Sequence, residues 1–230
     1  MKFGPISFVV PMYNESANIE RSVHKIKCLA ETLSDDFEIV LSDDASTDGT
    51  MEKALRLAEE DPRVKTVRLE KNSKFGGALA AGLKKASRDI VVYTDADMPV
   101  KDEDVKRGLA LLDGADVVTA YSTVIKDTSI KRIIMSKVYN FLVQFLFGLN
   151  IKDINSGFKI YRAKVIRDLS LISKSPFVDV EIFAEAERRG FRIAQFGLVF
   201  ELRAGGVSTI SRLSVVARTF FDMFRYRLTP

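Results

Sequence analysis

The chain of 230 residues contains one cysteine, Cys28, and one histidine, His24. A single cysteine permits no intramolecular disulfide, which is typical of proteins in a reducing compartment. One cysteine and one histidine cannot form a zinc cluster, and a Ser-His-Asp hydrolase would have to use His24. The composition therefore argues against zinc chemistry and triad hydrolysis, and we assign His24 no role.

Several other signals are missing. No Gly-x-Gly-x-x-Gly follows the first strand-like run and no Walker lysine motif is present, which argues against dinucleotide and P-loop folds. No apolar run reaches the roughly 20 residues that span a bilayer. The N-terminus lacks the charged-then-apolar pattern of a secretory signal, so we expect a cytosolic setting.

What the chain does contain is a regular alternation. Strand-like runs at 6–11, 37–42, 64–69, 90–94 and 116–120 alternate with helix-like stretches at 16–33, 50–60, 76–87 and 102–113. Such alternation predicts βαβ units and a mainly parallel sheet, here in a single α/β domain covering residues 1–230. After residue 121 the pattern changes to a long amphipathic segment, a short strand near 158–161 and two more helices.

Acidic residues follow two of these strand-like runs. Asp95 and Asp97 come directly after 90–94, and Asp43 and Asp44 directly after 37–42. Ligands of open α/β sheets bind beyond the carboxyl ends of the strands, where both pairs would lie. Paired carboxylates with a substrate diphosphate suit Mg²⁺ or Mn²⁺, although Asp also caps helices and starts turns.

A glycine-containing loop occurs at 71–78. Gly76 and Gly77 open a predicted helix, where free N–H groups attract phosphate, and Lys74 adds a positive charge. The alternative is that these glycines are needed only for a tight turn.

Taken together, the motifs at 11–15, 43–49, 72–78 and 95–97 resemble those of the family-two inverting glycosyltransferases, which have a GT-A, Rossmann-like fold. Segments 152–159 and 177–181 are similar to the polyprenyl-phosphate branch, the dolichol-phosphate mannose and glucose synthases. The resemblance covers nearly the whole chain.

The resemblance implies a nucleotide-sugar half, 1–121, and an acceptor-binding half, 122–230. Asp95 and Asp97 would hold the metal and, with Asp153, form the catalytic set. The residues expected to contact the nucleotide sugar are Pro11, Tyr13, Asn14, Glu15, Ser42, Asp44, Lys74, Gly76, Gly77, Ala96 and Arg203.

The sequence departs from the branch in three places. Pro99 stands where Gln is frequent, 120–122 replace a common Gly-Ser-Arg, and Thr209 replaces a Lys. Donor identity is therefore open, and by analogy a UDP-glucose type of donor is favoured over GDP-mannose.

Two helical stretches, 130–148 and 211–228, have broad apolar faces rich in Phe and Leu with basic residues nearby. With a net charge of +4, such helices can lie in the interface of an anionic membrane. The alternatives are packing on the domain or a dimer contact. We expect peripheral attachment to the cytoplasmic face of a membrane, with a membrane protein or a second copy as a further partner, and no nucleic acid.

A polyprenyl phosphate acceptor would need no general base, because a phosphate monoester is largely ionised at neutral pH. The expected acceptor contacts are Lys131, Arg132, Lys137, Asn155 and Ser156, with Arg203 as a further cation. A hydroxyl acceptor would instead need Asp153, Asp179 or Glu181 as base. The remaining alternatives are a catalytically silent nucleotide-sugar binder and a nucleotidyltransferase, against which the motif at 11–15 argues.

Overall fold

A computed structural model describes residues 2–98, 100–124, 130–200 and 213–228, and only the backbone of 130–136, 213–217 and 228. Its elements alternate as predicted up to the fifth strand. In chain order they are β1 (Ile6–Met12), α1 (Ile19–Leu33), β2 (Phe37–Asp43), α2 (Thr50–Glu60), β3 (Val64–Arg68), α3 (Lys74–Lys85), β4 (Ile90–Thr94), α4 (Asp102–Ala110) with a 3₁₀ turn (Leu111–Asp113), β5 (Val117–Ser122), α5 (Ile130–Phe147), β6 (Phe158–Arg162), α6 (Ala163–Ile166), α7 (Val178–Arg188), β7 (Ile193–Leu198) and α8 (Leu213–Leu228).

The strands form one sheet of seven in the order β3-β2-β1-β4-β6-β5-β7. β6 runs antiparallel to both of its neighbours, while every other neighbouring pair is parallel. The carboxyl ends of β1 to β5 therefore share one edge of the sheet, where the loop before β6 also arrives. The prediction of a mainly parallel α/β sheet is confirmed.

Two apolar layers cover the sheet. In β1, Phe8 and Val10 pack on the side of α1, α2 and α4, while Val9 packs on the side of α3 and α7. This alternation follows from the two-residue period of a strand. All seven residues of β2 are buried, as expected for an inner parallel strand.

Two elements were not predicted. β7 forms one edge of the sheet, and only Phe196 and Leu198 of its six residues are buried, so its apolar pattern is weak. α6 is a single turn of four residues. Nowhere in the part of the chain that the structure describes is a helix long and apolar enough to cross a membrane.

Candidate active site at the carboxyl edge of the sheet

Four loops at the carboxyl edge share an uncommon backbone feature. The loops after β1, β2, β3 and β4 each place one residue in the left-handed region, with φ of 56° at Asn14, 58° at Ala45, 64° at Lys74 and 41° at Met98. Among the described residues these are the only positive φ values outside glycine. Such conformations are costly, persist only where the surroundings enforce them, and concentrate at functional sites.

Hydrogen bonds tie the first two loops together. Asn14 N donates to Ser46 Oγ at 2.9 Å, and Thr47 N donates to the side-chain oxygen of Asn14 at 3.0 Å. Glu15 N donates to Thr50 Oγ1 at 2.8 Å. The Asn14 oxygen, predicted to contact a nucleotide, is thus used to hold the two loops in register.

The adjacent aspartates at the end of β2, Asp43 and Asp44, accept hydrogen bonds from different loops. Asp43 is fully buried and accepts the N–H of Ser46 at 3.3 and 3.2 Å. Asp44 accepts the N–H of Ser73 at 2.5 Å and so links the end of β2 to the start of α3. Burial raises the pKa of Asp44 to about 6, although N–H bonds from Ser73 and Lys74 oppose that rise.

Two predicted nucleotide contacts have to be corrected. Ser42 is fully buried and donates its hydroxyl to the Ala78 carbonyl at 2.7 Å, so its side chain cannot reach a ligand. Gly76 N donates to the Lys174 carbonyl at 2.9 Å, and a Cβ at Gly76 would lie 2.4 Å from the Ser173 carbonyl. Gly76 is therefore a packing glycine, and its N–H is not available to a phosphate.

The rest of the glycine loop has mixed roles. A Cβ at Gly77 would lie 2.5 Å from Ser73 Cβ, which explains the glycine by the tight turn. Lys74 is exposed in the first turn of α3, and its positive charge acts on Asp44.

Asp95 is held from two sides. Tyr93 donates its hydroxyl to Asp95 Oδ1 at 2.7 Å, and a Cβ at Gly157 would lie 2.5 Å from Asp95 Oδ2. Asp95 N also donates to the Gly157 carbonyl at 3.3 Å. The loop before β6 therefore packs against Asp95, and glycine is the one residue that leaves room for the carboxylate.

The donor set fits a hard divalent cation. Asp95 and Asp97 are both half-buried, lie one residue apart and offer carboxylate oxygens. Within the described ranges, no group of three or more His, Cys, Asp or Glu residues could hold a metal ion. A cation bound by two carboxylates needs further ligands, and Mg²⁺ usually takes them from substrate phosphates and water.

A buried ion pair lies behind this loop. Lys159 Nζ is 3.0 Å from Asp179 Oδ2 and donates to the Ser156 carbonyl at 2.6 Å, and neither charged side chain is accessible to solvent. Burial raises the pKa of Asp179 to about 6, with Lys159 opposing and Asp95 reinforcing that shift. The sequence analysis assigned Lys159 no role, although it lies in the motif at 152–159 and is a cation within the apolar run of β6.

Two of the three candidate general bases, Asp179 and Glu181, are buried and already have partners within the protein. Asp179 neither caps α7 nor reaches solvent, and Glu181 accepts the N–H groups of Ile172 and Ser173 at 2.8 and 3.0 Å. Asp153 remains, because it is half-buried, and burial raises its pKa while Lys159 opposes the shift.

The other predicted nucleotide contacts are spread along the same edge. Tyr13 is 46% exposed and Pro11 is half-buried. The Glu15 carboxylate accepts a hydrogen bond from Asn18 at 2.9 Å. The side chain of Ala96 packs in the core, and its carbonyl accepts the Ser22 hydroxyl.

Of the predicted acceptor contacts, Lys137 is exposed and Asn155 is half-buried. Ser156 is buried, with its hydroxyl 3.4 Å from the Phe158 carbonyl, so its side chain is corrected to a structural role. Residues whose side chains lie outside the described part are Pro99, Lys131, Arg132, Arg203 and Thr209.

An additional cation stands at this edge. Lys152 Nζ lies 4.2 Å from the centroid of the Tyr121 ring and donates to its hydroxyl at 3.2 Å. Tyr121 is the penultimate residue of β5 and one of the positions where the sequence departs from the branch. The sequence analysis did not predict Lys152, because the contact joins residues 31 positions apart.

The two amphipathic helices expose aromatic rings. Phe141 and Phe145 of α5 are 65% and 77% exposed, and their rings stack 6.4 Å apart. Phe221 and Phe224 of α8 are 59% and 62% exposed. Large exposed apolar surfaces of this kind mark interaction sites.

Comparison with known proteins agrees with this architecture. The family model described as "Glycosyl transferase family 2" matches residues 7–170. The chain belongs to this family. The resemblance stated from the motifs is thereby confirmed, as is the GT-A fold.

Curated relatives include the glycosyltransferase AglD of Haloferax volcanii, 29% identical over 85% of this chain, and the polyprenol monophosphomannose synthase of Mycolicibacterium smegmatis, 30% identical over 88%. The chain spans 33% of the length of the first and 80% of the second. Glucosyl-3-phosphoglycerate synthase from Mycobacterium tuberculosis, solved with Mn²⁺, uridine diphosphate and glucosyl-3-phosphoglycerate, has the same fold. Its TM-score is 0.70 at 23% identity, covering 95% of this chain and 79% of the other.

Proposed function

We propose that this glycosyltransferase moves a hexose, with inversion, from a nucleotide sugar to a polyprenyl phosphate. An oxygen of the lipid phosphate attacks C1 of the sugar as the bond from C1 to the nucleoside diphosphate breaks. The products are a polyprenyl phosphohexose and the nucleoside diphosphate.

The observation that carries the proposal is the group of four strained loops around Asp95 and Asp97. Hydrogen bonds cross-link the loops after β1, β2 and β3, which supplies the preorganisation that a transferase site requires. The relative named as a polyprenol monophosphomannose synthase, matched over 80% of its length, supports a lipid phosphate as acceptor.

On the donor side, Tyr13 and Asp44 border the place of the nucleoside, and Lys74 supplies positive charge for the phosphates. Asp95 and Asp97 would hold Mg²⁺ or Mn²⁺, whose charge stabilises the departing nucleoside diphosphate. Tyr93 and Gly157 fix the direction of the Asp95 carboxylate. The donor is UDP-glucose or a similar UDP sugar, with GDP-mannose as the alternative.

On the acceptor side, the ionised phosphate is already a nucleophile, so the protein has only to align it. We assign the alignment of the acceptor phosphate to two cations, Lys137 and Lys152. Asp153 favours the second candidate function, transfer to a hydroxyl, because burial raises its pKa as a general base requires.

A membrane surface is the proposed partner of α5 and α8. Exposed phenylalanines of both helices are accompanied by exposed Arg218 and Arg225 on α8, which suits a surface of anionic lipid. In this proposal the enzyme lies at the face of the membrane that carries its lipid acceptor.

The proposal is tested by incubating the protein with Mn²⁺, a short polyprenyl phosphate and, separately, UDP-glucose, UDP-N-acetylglucosamine and GDP-mannose. Mass spectrometry should detect a glycolipid from one donor. We expect Asp97→Ala to lower kcat/KM by about 1000-fold and the exposed control Asp113→Ala to leave it unchanged. No glycolipid from any donor, despite nucleotide binding, would contradict the proposal and point to a hydroxyl acceptor or a silent binder.

A further inference from the structure

The irregular segment 172–175, just before α7, donates its backbone N–H groups to two buried carboxylates. Glu181 accepts the first two N–H groups of the segment, at 2.8 and 3.0 Å. Asp222 Oδ2 accepts the next two, at 3.2 and 3.0 Å. Glu181 and Asp222 are each 2% exposed, so water does not compete for these bonds. Four successive backbone donors are thus fixed by one residue from α7 and one from α8.

The carbonyl groups of the same segment face the start of α3. The Lys174 carbonyl accepts the N–H of Gly76, and a Cβ at Gly76 would lie 2.4 Å from the Ser173 carbonyl and 2.9 Å from the Ser175 carbonyl. Backbone at this distance leaves no space for any side chain. Any displacement of segment 172–175 must therefore move the first turn of α3 with it.

The first turn of α3 is also part of the candidate active site. Ser73, next to it, donates to the Asp44 carboxylate, and Lys74 holds a left-handed backbone at φ 64°. A strained residue keeps its conformation only while its neighbours enforce it. Segment 172–175 holds the first turn of α3 through Gly76, and Asp44 holds its start through Ser73.

The helix that carries Asp222 also carries exposed aromatic rings. In α8, Asp222 and Met223 are buried, while Phe221 and Phe224 are 59% and 62% exposed. A surface that immobilises α8 through these rings would also immobilise Asp222. It would then hold segment 172–175 and the start of α3.

We propose that Asp222 is a positioning residue that couples the seating of α8 on a lipid membrane to the affinity of the site for the nucleotide. The inference rests on the proposed function, which defines both the nucleotide and the membrane. Because coupling is reciprocal, nucleotide binding should also strengthen the attachment of the protein to the membrane.

The first test measures the dissociation constants of UDP and GDP, with Mn²⁺, by calorimetry in the absence of lipid. Asp222→Ala should weaken binding about tenfold, within the usual range of coupling. Asp222→Asn should stay within about threefold of the wild type, since both N–H bonds go to one oxygen that an amide oxygen can replace. Glu187→Ala, an exposed carboxylate on α7, is the matched control and should have no effect.

The second test adds vesicles containing phosphatidylglycerol. Vesicles should tighten nucleotide binding by the wild type at least about fivefold, while Asp222→Ala should float with vesicles and show no such gain. Should Asp222→Ala not fold, the coupling can be measured without a variant. Hydrogen exchange in residues 72–78 of the wild type should then become slower on vesicle binding.

Equal nucleotide affinities of wild type and Asp222→Ala would overturn the inference, as would unchanged affinity and exchange in vesicle-bound wild type. Both outcomes leave the proposed function standing, because nucleotide is still bound. A wild type that binds neither nucleotide overturns the proposed function together with this inference.

Discussion

The strand ends of the N-terminal half and the helices of the C-terminal half are built in opposite ways. At the strand ends, polar side chains form hydrogen bonds within the protein. Asn14 and Asp44, for example, accept hydrogen bonds from neighbouring loops. In α5 and α8, large apolar side chains such as Phe145 and Phe224 face outward.

The difference indicates two ways of recognising a substrate. On the proposed donor side, hydrogen bonds and strained residues fix the shape of the loops, so we expect binding to cost little ordering entropy. The proposed acceptor side exposes apolar rings, which would suit a ligand that is itself part of a membrane. Segment 172–175 connects the two, since it contacts α8 through Asp222 and α3 through Gly76.

The largest effect should come from breaking the buried pair behind the donor side. Lys159→Met leaves Asp179 buried without its cation, which typically costs about 3 to 5 kcal/mol. The melting temperature should fall by roughly 6 to 20 °C in a domain of this size. The exposed control Lys106→Met should change it little. A fall of less than about 2 °C would show that the rigidity does not depend on this pair.

Gly157→Ala tests the geometry of Asp95 directly. The new Cβ would lie 2.5 Å from Asp95 Oδ2, so the carboxylate must move. We expect kcat/KM to fall about 100-fold, as for other small misplacements of catalytic groups. Gly114→Ala is the matched control, because no atom lies within 4 Å of its Cβ. Equal activity of both variants would contradict the assigned role of Asp95.

The exposed apolar faces of α5 and α8 are tested by combining Phe145→Ser with Phe224→Ser. Each ring loses its apolar contact with lipid, and the pair should lower the partition coefficient for anionic vesicles at least about tenfold. The melting temperature should hold, because both rings are already exposed. If the melting temperature drops while flotation is unchanged, these helices pack against protein, as in a dimer.

The smallest effect concerns Asp44, whose pKa is raised to about 6 by burial. Above that pH the ionised carboxylate holds Ser73 strongly, and below it the protonated group holds it weakly. The dissociation constant for UDP or GDP in Asp44→Asn, divided by that of the wild type, should fall from about threefold or more at pH 7.5 to about one at pH 5. Taking the ratio cancels the ionisation of the nucleotide itself. A ratio independent of pH would remove Asp44 from nucleotide binding.

The features that could be predicted from the sequence are those that depend on residues close together in the chain. Apolar runs ending in acid located β2 and β4, and with them Asp44, Asp95 and Asp97, because a strand and its terminal loop are local features. The family motifs added Gly157, whose reason, the Asp95 carboxylate beside it, only the structure shows.

Contacts between residues distant in the chain could not be predicted. Gly76 was assigned to a phosphate because nothing nearby announces the carbonyl of Lys174, almost 100 positions away. The partners of Asp179 and Glu181, which are Lys159 and the N–H groups of segment 172–175, likewise cannot be inferred from local pattern.

The most direct test of the proposed chemistry compares a short polyprenyl phosphate with the corresponding polyprenol, using the active donor, in wild type and Asp153→Asn. We predict product from the phosphate alone, with activity in Asp153→Asn within about threefold of wild type, because an ionised phosphate needs no general base. Product from the polyprenol, or abolished transfer to the phosphate in Asp153→Asn, would contradict a mechanism that rests on an ionised lipid phosphate.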